Sequence, residues 1–516
     1  MNIRQWIVPI LLSLATYFLA VSAVRLYTYY RSGSVDQSSF VAPSSQVAYE
    51  PLCKVVEIAP RSHGYSEDCI VVTTDYGAVT IDSLGAVISS MEYIRKTKTG
   101  DVNFITLASV KNEQILQGAF LVAQEGKTAL QYELIDTKDT DAAMSLTYKV
   151  HSETGIIEKI FTIDKHLCKI NVKITAIPAH EKTMKLRVMW PSPEMGEIVE
   201  GDYCGAVLID KKGSFVKKQL KYLDDQVGYF KPRMFGSDNK YFVHALVGDE
   251  NNFVTRAYYS IDNGKVTSII ESASIAQQTS WSLNFYMGPK DIHAMHLVSP
   301  LLEKTLDYGM FSFFTKMLLY ALEVCYDFLG NFGWAIIALT LLLKLVLLPF
   351  TLRSDAVMKR VKDQQKQLAF VEQKFKHDPK ALVAAREKLM RENGLATMGG
   401  CLPMLIQPII FMSLSGALNG SIALHKAPFI GWIKDLSRPD DHYVLPALLF
   451  IAMLTSFLMN AEKLDAKKTI GITLAVLVGV AFIGTVMSAG LALFICVSML
   501  LHIAQTFLQK VYKYDR

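Results

Sequence analysis

A single basic residue lies inside a long apolar stretch of this 516-residue chain: Lys344 is the only charge between residues 328 and 352. An ammonium group at the centre of a membrane span costs roughly 2.5–3.5 kcal/mol, so such a lysine is expected to face protein or water. The next charge, Arg353, is nine residues further on, about 13 Å along a helix. Because that depth makes snorkelling to the headgroups, the alternative explanation, difficult, Lys344 predicts a hydrated intramembrane cavity.

Further polar residues in apolar stretches are candidates to line the same cavity. Thr340 lies one helical turn before Lys344 on the same predicted face, and Gln407 lies in the third predicted span. Three polar residues recur along one face of the last predicted helix: Ser498, His502 and Gln505. Such a stripe also occurs where helices hydrogen-bond to each other, and both interpretations stay open. Since no predicted span contains an acidic residue, a counter-charge for Lys344 would arrive with a substrate.

A strongly basic segment follows the span that holds Lys344. Residues 351–398 contain eleven basic and six acidic residues. Asp378-Pro379 predicts the start of a helix and Asn393-Gly394 its end, so residues 355–398 predict a hairpin of two helices. Six basic residues are candidates for contacts of this hairpin: Lys359, Arg360, Lys374, Lys376, Arg386 and Lys388. The charge is typical of a solvated cytoplasmic loop, and equally of a docking surface for anionic lipid or an RNA-containing partner.

The elements that must position these residues are membrane spans. With 51% apolar residues, 20% charged residues and a mean hydropathy of +0.24, the composition excludes a disordered chain and an ordinary soluble enzyme. Six apolar stretches approach the ~20 residues that a span needs. They lie near residues 5–24, 332–351, 400–422, 443–460, 469–487 and 489–509.

Lysine and arginine placement predicts the orientation of these spans. Basic residues concentrate in residues 351–398, in 461–468 and after 509, and the positive-inside rule places all three regions and both termini in the cytoplasm. The net charge of +5 matters through this placement. Val21-Ser22-Ala23 allows a cleaved signal peptide instead of a first anchor at 1–24, although an apolar run of about 20 residues favours the anchor.

Residues 25–51 are rich in serine and predict a flexible tether to an outer domain at 52–305. In that domain Ile170, Val172 and Ile174 alternate with polar residues, as in a half-buried strand. Turn signals such as Asp75-Tyr76-Gly77 separate many short strands, which predicts an antiparallel sandwich.

Little in the outer domain predicts chemistry. It has no phosphate loop, no paired metal-ligand histidines and no hydrolase elbow, so we predict no enzyme, no cofactor and no metal site, while a glycosidase-type carboxylate pair stays open. The isolated histidines, typical of structural or exposed positions, are His151, His166, His180 and His244. The outer cysteines are Cys53, Cys69, Cys168 and Cys204. They allow three disulfide pairings, and equally no disulfide at all.

Residues 306–330 predict an amphipathic helix before the second span. A stripe of apolar residues at helical spacing contains Phe311, Phe314, Leu318, Leu322 and Cys325. An aromatic amphipathic helix directly before a span favours a position in the membrane interface; the alternative is a helix that packs on the outer domain.

Several segments resemble the YidC-type membrane protein insertases of the Oxa superfamily. They are Asp307-Tyr308-Gly309, residues 330–354 (GNFGWAIIALTLLLKLVLLPFTLRS), 399–424 (GGCLPMLIQPIIFMSLSGALNGSIAL), 427–440 (APFIGWIKDLSRPD) and 489–494 (AGLALF). The resemblance implies a polytopic α-helical membrane protein of six transmembrane helices, five of them forming the insertase core, and a large periplasmic antiparallel β-supersandwich of the sugar-mutarotase type. The membrane part is predicted to contain the amphipathic interfacial helix (306–330), the second transmembrane helix (331–354), the cytoplasmic helical hairpin (355–398) and transmembrane helices three to six with a short cytoplasmic tail (399–516).

The resemblance also implies a site. In the family an arginine of the second span lines a groove that is open to the cytoplasm and the bilayer. Lys344 occupies that position, and Thr340 and Gln407 match groove residues. Lysine keeps the charge and loses the planar fork of arginine. A tyrosine pair of the sixth span is replaced by Phe494 and Ile495.

The implied function is the insertion and folding of nascent inner-membrane proteins, alone or with the Sec translocon, without a cofactor. The implied partners are nascent membrane proteins, the Sec translocon, the ribosome, the signal recognition particle receptor and membrane lipids. The alternatives are a solute transporter with a periplasmic capture domain and a membrane-tethered carbohydrate enzyme.

Overall fold

The chain divides into two compact units, whose boundary in the sequence lies between Leu306 and Asp307. The structure is a computed structural model that describes residues 69–96, 101–108, 118–123, 130–194, 204–219, 228–262, 265–306, 308, 311–374, 382–383, 402–460 and 487–514. The predicted spans near 5–24 and 469–487, the tether at 25–51 and the helix boundaries at Asp378-Pro379 and Asn393-Gly394 lie outside these ranges.

The first unit is built from β-strands, and every pairing between the described strands is antiparallel. The strands are β1 (Cys69–Thr74), β2 (Gly77–Asp82), β3 (Val87–Arg95), β4 (Val102–Ala108), β5 (Leu121–Ala123), β6 (Glu133–Asp139), β7 (Ala143–Ser152), β8 (Gly155–Asp164), β9 (Lys169–Pro178), β10 (Arg187–Pro191), β11 (Cys204–Ile209), β12 (Phe215–Gln219), β13 (Tyr229–Phe230), β14 (Met234–Asn239), β15 (Phe242–Glu250), β16 (Arg256–Asp262), β17 (Lys265–Glu271) and β18 (Thr279–Pro289).

The strands form three sheets arranged as a two-layer sandwich. A nine-stranded sheet has the order β12-β11-β14-β15-β18-β9-β8-β7-β6, a five-stranded sheet the order β13-β16-β17-β10-β5, and a four-stranded sheet the order β1-β2-β3-β4. Trp190 of the five-stranded sheet makes an edge contact with Phe285 of the large sheet at 5.0 Å between ring centroids. Tyr93 of the four-stranded sheet contacts Phe242 of the large sheet at 5.7 Å. Both smaller sheets therefore cover the large one.

The alternation predicted for residues 170–175 is confirmed. In β9, Ile170, Val172 and Ile174 are buried, whereas the residues between them are half-buried or exposed, as expected where one face of an antiparallel sheet meets the core. The predicted turn at Asp75-Tyr76-Gly77 joins β1 to β2, and Gly77 has φ +148°. A Cβ there would lie 1.9 Å from the carbonyl oxygen of Glu92, so only glycine fits.

A buried lysine links the large sheet to the loops of the smaller sheets. Lys159 of β8 is 0% exposed. Its Nζ donates hydrogen bonds to the carbonyl oxygens of Gly85 at 2.8 Å, Ala86 at 2.9 Å and Phe120 at 2.7 Å. Burial lowers the pKa of this amine well below its ordinary value, but three acceptors match the three donors of an ammonium group. All three donors of Lys159 are therefore occupied by hydrogen bonds within the first unit, and its role is structural.

The first unit ends in two short helices that the sequence-based prediction missed. Helix α1 (Ile292–Val298) is capped by the Asp291 side chain, and a 3-10 helix (Pro300–Thr305) is capped by Ser299. Met295 and Leu302 bury their side chains in the core. An aspartate cap and a serine followed by proline are ordinary helix-start signals, so these elements were predictable.

The second unit is helical. Its described helices are α2 (Ser312–Leu329), α3 (Phe332–Lys374), α4 (Leu402–Gly420), a 3-10 helix (Ile422–Leu424), α5 (Val444–Asn460) and α6 (Ala489–Tyr514). Phe332–Leu352 and Ala489–Gln509 are long and apolar enough to cross a membrane, and Gln407–Leu418 and Val444–Phe457 are shorter apolar segments. Predicted spans two, three, four and six each coincide with one of these helices.

The second span and the first helix of the predicted hairpin form one element. Helix α3 runs without interruption from Phe332 to Lys374 and contains Pro349. The change from apolar to charged sequence near residue 354 thus marks a change of surroundings and not the end of a helix. A break in composition was therefore a poor guide to a break in the backbone.

One buried histidine of the first unit gives a pH prediction. His244 is 0% exposed, and its Nδ1 lies 3.3 Å from the carbonyl oxygen of Pro191. Burial lowers the pKa of His244 to about 4. In the unfolded chain the His244 imidazole binds a proton near pH 6.5, whereas in the folded chain it stays neutral down to a lower pH. The contribution of His244 to the free energy of unfolding is therefore fully present above about pH 7 and is lost as the pH falls.

We therefore expect the wild type to lose about 2 kcal/mol more stability than His244→Phe between pH 7 and pH 5. Urea unfolding of the purified protein, followed by tryptophan fluorescence at both pH values, measures this difference. His180→Phe, at a side chain that is 95% exposed, is the control and should keep the wild-type loss. An equal pH dependence in His244→Phe and the wild type would contradict the assignment.

Candidate substrate groove

Lys344 and Thr340 lie on α3, as predicted. Thr340 is 0% exposed, and its Oγ1 donates a 2.6 Å hydrogen bond to the carbonyl oxygen of Ile336 one turn earlier. Lys344 is half-buried. It lies about 18 Å from the start of the helix and about 12 Å from Leu352 along its axis. Among the residues that the structure describes, no carboxylate pairs with Lys344.

The polar stripe of the last span lies on α6, which packs against α3. Ser498 is buried, and His502 and Gln505 are half-buried. His502 also accepts, through its carbonyl oxygen, a 2.9 Å hydrogen bond from Thr506. Two neighbouring helices therefore carry five of the six predicted groove residues, whereas Gln407 is on α4 and is exposed.

Burial along α3 and α6 changes from one end to the other. On α3, Ala335, Ile336 and Leu339 are at most 1% exposed, but Leu345 and Val346 are 66% and 61% exposed. On α6, the residues from 489 to 494 are buried, and those from 499 to 509 are half-buried or exposed. Phe494 is 3% exposed within this packing. The helices are thus tightly packed at the end before Lys344 and loosely packed beyond it.

A short turn fixes the entry to α3. Gly330 ends α2 with φ +70°, and the Oδ1 of Asn331 accepts a 2.8 Å hydrogen bond from the backbone N–H of Gly333. The rings of Tyr326 and Phe332 stack across this turn at 3.9 Å. Because these contacts set where α3 begins, they also set the depth of Lys344.

Helix α2 packs against α3 and α4 and leaves an apolar face uncovered. Leu318 and Leu322 of the predicted stripe are buried, but Phe314 is 44% exposed, so the buried face is narrower than predicted and includes Thr315. A second row of large apolar side chains is exposed at helical spacing: Phe313, Met317, Tyr320, Val324 and Phe328. An exposed aromatic row on an amphipathic helix is typical of contact with a membrane interface.

The basic residues of the hairpin are described in part. Lys359, Arg360 and Lys374 lie on the continuation of α3. Lys376, Arg386 and Lys388 lie outside the described residues. Their contact role stays a prediction.

The outer-domain histidines occupy different surroundings. His166 pairs with Asp75 at 2.6 Å on the surface, which raises the pKa of His166, and His244 is enclosed as described above. Within the described ranges no cluster of three or more potential ligands could hold a metal ion. Cys168 and Cys204 are free thiols, Cys69 is exposed, and Cys53 lies outside those ranges.

The sequence analysis named no candidate residue in the loop between α4 and α5. This loop, residues 421–443, contains the charged segment from Lys434 to Asp441. In the structure Asp435 accepts three hydrogen bonds. Ser413 of α4 was also missed; its Oγ is buried and has no partner among the described residues.

Comparison with known proteins covers both units. Residues 324–515 match the family described as 60Kd inner membrane protein, and residues 69–321 match the YidC periplasmic domain. The membrane protein insertase YidC of Geotalea daltonii is 28% identical over 459 residues, covering 84% of this chain and 85% of its own length. The YidC of Cupriavidus taiwanensis is 34% identical over 227 residues, covering 44% and 40%. A crystal structure of an active YidC insertase with its first transmembrane domain resolved covers 88% of this chain and 95% of its own, at 18% identity and a TM-score of 0.36.

The exposed row of α2 gives a labelling prediction. If this row lies in lipid, a cysteine at Phe328, which is 84% exposed, should react with a membrane-impermeant maleimide several-fold more slowly than one at Asp327, because lipid excludes the reagent. Spheroplasts that carry Phe328→Cys or Asp327→Cys, with labelled peptides mapped by mass spectrometry, measure both rates. Equal rates would place the row in water.

Proposed function

We propose, since this chain belongs to the YidC family of membrane protein insertases, that it inserts nascent proteins through a hydrated groove between α3 and α6. The family consists of insertases and not of enzymes, and it places the chain in the inner membrane with a periplasmic domain. The observation that carries the proposal is Lys344: a half-buried ammonium group deep in a span, with polar side chains on the adjacent helix. The alternative function, solute transport, is not needed to explain the position of Lys344.

The groove is proposed to open towards the cytoplasm. The tight packing of α3 and α6 lies before Lys344, and the loose packing lies beyond it, on the side of the basic segment that the positive-inside rule assigns to the cytoplasm. A nascent segment would therefore enter from the cytoplasmic end and stop below the packed end. Both termini of the chain are proposed to be cytoplasmic on the same rule.

Lys344 is proposed to attract acidic groups of the entering segment. At about 4 Å and an effective dielectric constant of 20, such a pair gains roughly 4 kcal/mol before desolvation is subtracted. Thr340 and Ser498 would keep the surroundings polar enough to retain water. The apolar part of the substrate then leaves sideways into lipid, and its burial in the hydrocarbon core provides the free energy.

The wider partners are also proposals. The basic hairpin suits anionic lipid headgroups, the ribosome or the signal recognition particle receptor. Insertion together with the Sec translocon fits an open lateral face of the bundle, where Leu345 and Val346 are exposed.

Depletion tests the proposed function directly. We expect that small one- and two-span membrane proteins fail to insert within a pulse-chase when the chain is depleted, because their polar outer segments have no hydrated path. Re-expression of a chain lacking residues 69–290 should restore most insertion, since the groove is in the second unit. Normal insertion after depletion would exclude the function.

The charge of Lys344 is tested by substitution. Lys344→Arg keeps the charge and should retain insertion, whereas Lys344→Glu should lose at least tenfold of the rate for acidic substrates, because attraction of about 1.4 kcal/mol or more becomes repulsion. Lys344→Gln, uncharged and polar, separates loss of charge from loss of hydration. Equal insertion by the glutamate variant, at equal protein level in the membrane, would remove the role of Lys344.

A further inference from the structure

The loop between α4 and α5, here called the outer loop (residues 421–443), folds back on itself in two limbs. The first limb is residues 425–429 and the second is residues 435–438. They are joined by a tight turn in which the N–H of Phe429 donates a 3.0 Å hydrogen bond to the carbonyl oxygen of Ile433, with Gly431 at φ +59°. The N–H of Leu436 donates to the carbonyl oxygen of Ala427 at 3.0 Å. The limbs therefore lie side by side.

The first limb holds the start of α3. The Nδ2 of Asn331 donates a 3.2 Å hydrogen bond to the carbonyl oxygen of Pro428. The ring of Phe429 makes an edge contact with Trp334 at 5.5 Å and covers Gly333 so closely that a Cβ there would lie 1.9 Å from the ring. The first limb therefore packs so closely on the first turn of α3 that no side chain fits at position 333.

The second limb holds the start of α6. The carbonyl oxygen of Leu436 accepts a 2.9 Å hydrogen bond from the N–H of Gly490, and that of Arg438 accepts a 2.7 Å hydrogen bond from the N–H of Ala489. A Cβ on Gly490 would lie 3.1 Å from the Leu436 oxygen and 3.3 Å from the Cδ1 of Ile336 on α3. The second limb therefore meets α6 where α6 meets α3.

Asp435 ties the two limbs together. Its Oδ1 accepts hydrogen bonds from the N–H of Lys426 at 3.0 Å, and from the N–H and Oγ of Ser437, both at 2.8 Å. The Nδ1 of His425 lies 3.2 Å from the same Ser437 Oγ, and its side chain is 6% exposed. The hydrogen bond from Lys426 crosses between the limbs, and those from Ser437 lie within the second limb. Since hydrogen bonds to an ionised carboxylate are stronger than neutral ones, the cross-limb bond to Asp435 is stronger than a neutral one at the same place.

We propose that Asp435 is a positioning residue that fixes the separation of α3 and α6 at the outer end of the bundle, and so keeps the groove closed on that side during insertion. The first limb contacts the start of α3, which carries Lys344, and the second limb contacts the start of α6, which carries the polar stripe. The proposal rests on the proposed groove, and it adds a residue that holds its closed end from a distance.

A reporter cysteine below the outer loop tests the proposal. Ile336 is 1% exposed, so Ile336→Cys in the full-length protein should react slowly with a membrane-impermeant maleimide added from the outside to spheroplasts. Asp435→Asn in the same chain should raise that rate about tenfold, as expected when one charge-assisted hydrogen bond is lost from the closed state. Labelled peptides are mapped to residue 336 by mass spectrometry.

Two further variants of the outer loop serve as controls for Asp435→Asn. Asp441→Asn removes an exposed charge of the same loop and should leave the labelling rate unchanged. Ser437→Ala removes the contacts of the hydroxyl with Asp435 and His425 but keeps the carboxylate, and should give a smaller increase. This variant replaces Asp435→Asn if the latter does not accumulate in the membrane. An unchanged rate in Asp435→Asn and Ser437→Ala overturns the proposal, and so does an equal increase in Asp441→Asn. Labelling does not measure insertion, so this failure is distinct from failure of the insertase mechanism.

Discussion

The constraint on which the helical unit depends is the cost of a polar group in hydrocarbon. An unpaired ammonium group at mid-span is unfavourable by a few kcal/mol, and α3 nevertheless carries Lys344 half-buried, with no carboxylate partner among the described residues. Water can reach it only if the packing around it is loose. Loose packing along a whole bundle would, however, leave a continuous leak, so the other end of the same helices has to be sealed.

The burial pattern of α3 and α6 meets both requirements. Most side chains from 332 to 340 and from 487 to 494 are buried, although Trp334 is 50% exposed, and the described side chains of α3 beyond Lys344 are half-buried or exposed. A hydrogen-bonded loop encloses the sealed end, because its two limbs accept hydrogen bonds from Asn331 and from Gly490. The proposed hydrated groove and the hydrogen-bonded loop would thus meet the two demands that one half-buried charge makes on the same pair of helices.

The sequence predicted elements whose pattern repeats and missed contacts that join distant segments. The alternation in β9 and the apolar lengths of α3 and α6 are local properties, and the structure has them as predicted. The continuity of α3 through residue 354 was missed because a change of composition carries no information on backbone hydrogen bonds. The role of Asp435 was missed because its partners at Lys426 and Ser437 belong to a loop whose course no periodicity describes.

Two lysines illustrate where sequence reasoning ends. Lys159 shares one face of its strand with apolar residues, Lys344 lies between Leu343 and Leu345, and both lysines are removed from bulk water to different degrees. The alternation of Ile157, Lys159 and Phe161 on one face of β8 places Lys159 in the core, where three carbonyl oxygens use all of its donors. A group satisfied in this way has no capacity left for a ligand. Lys344, for which the described residues offer no carboxylate, is the lysine proposed here to attract a ligand. The difference between a structural tie and a binding group is therefore the number of acceptors within reach, which only the folded chain determines.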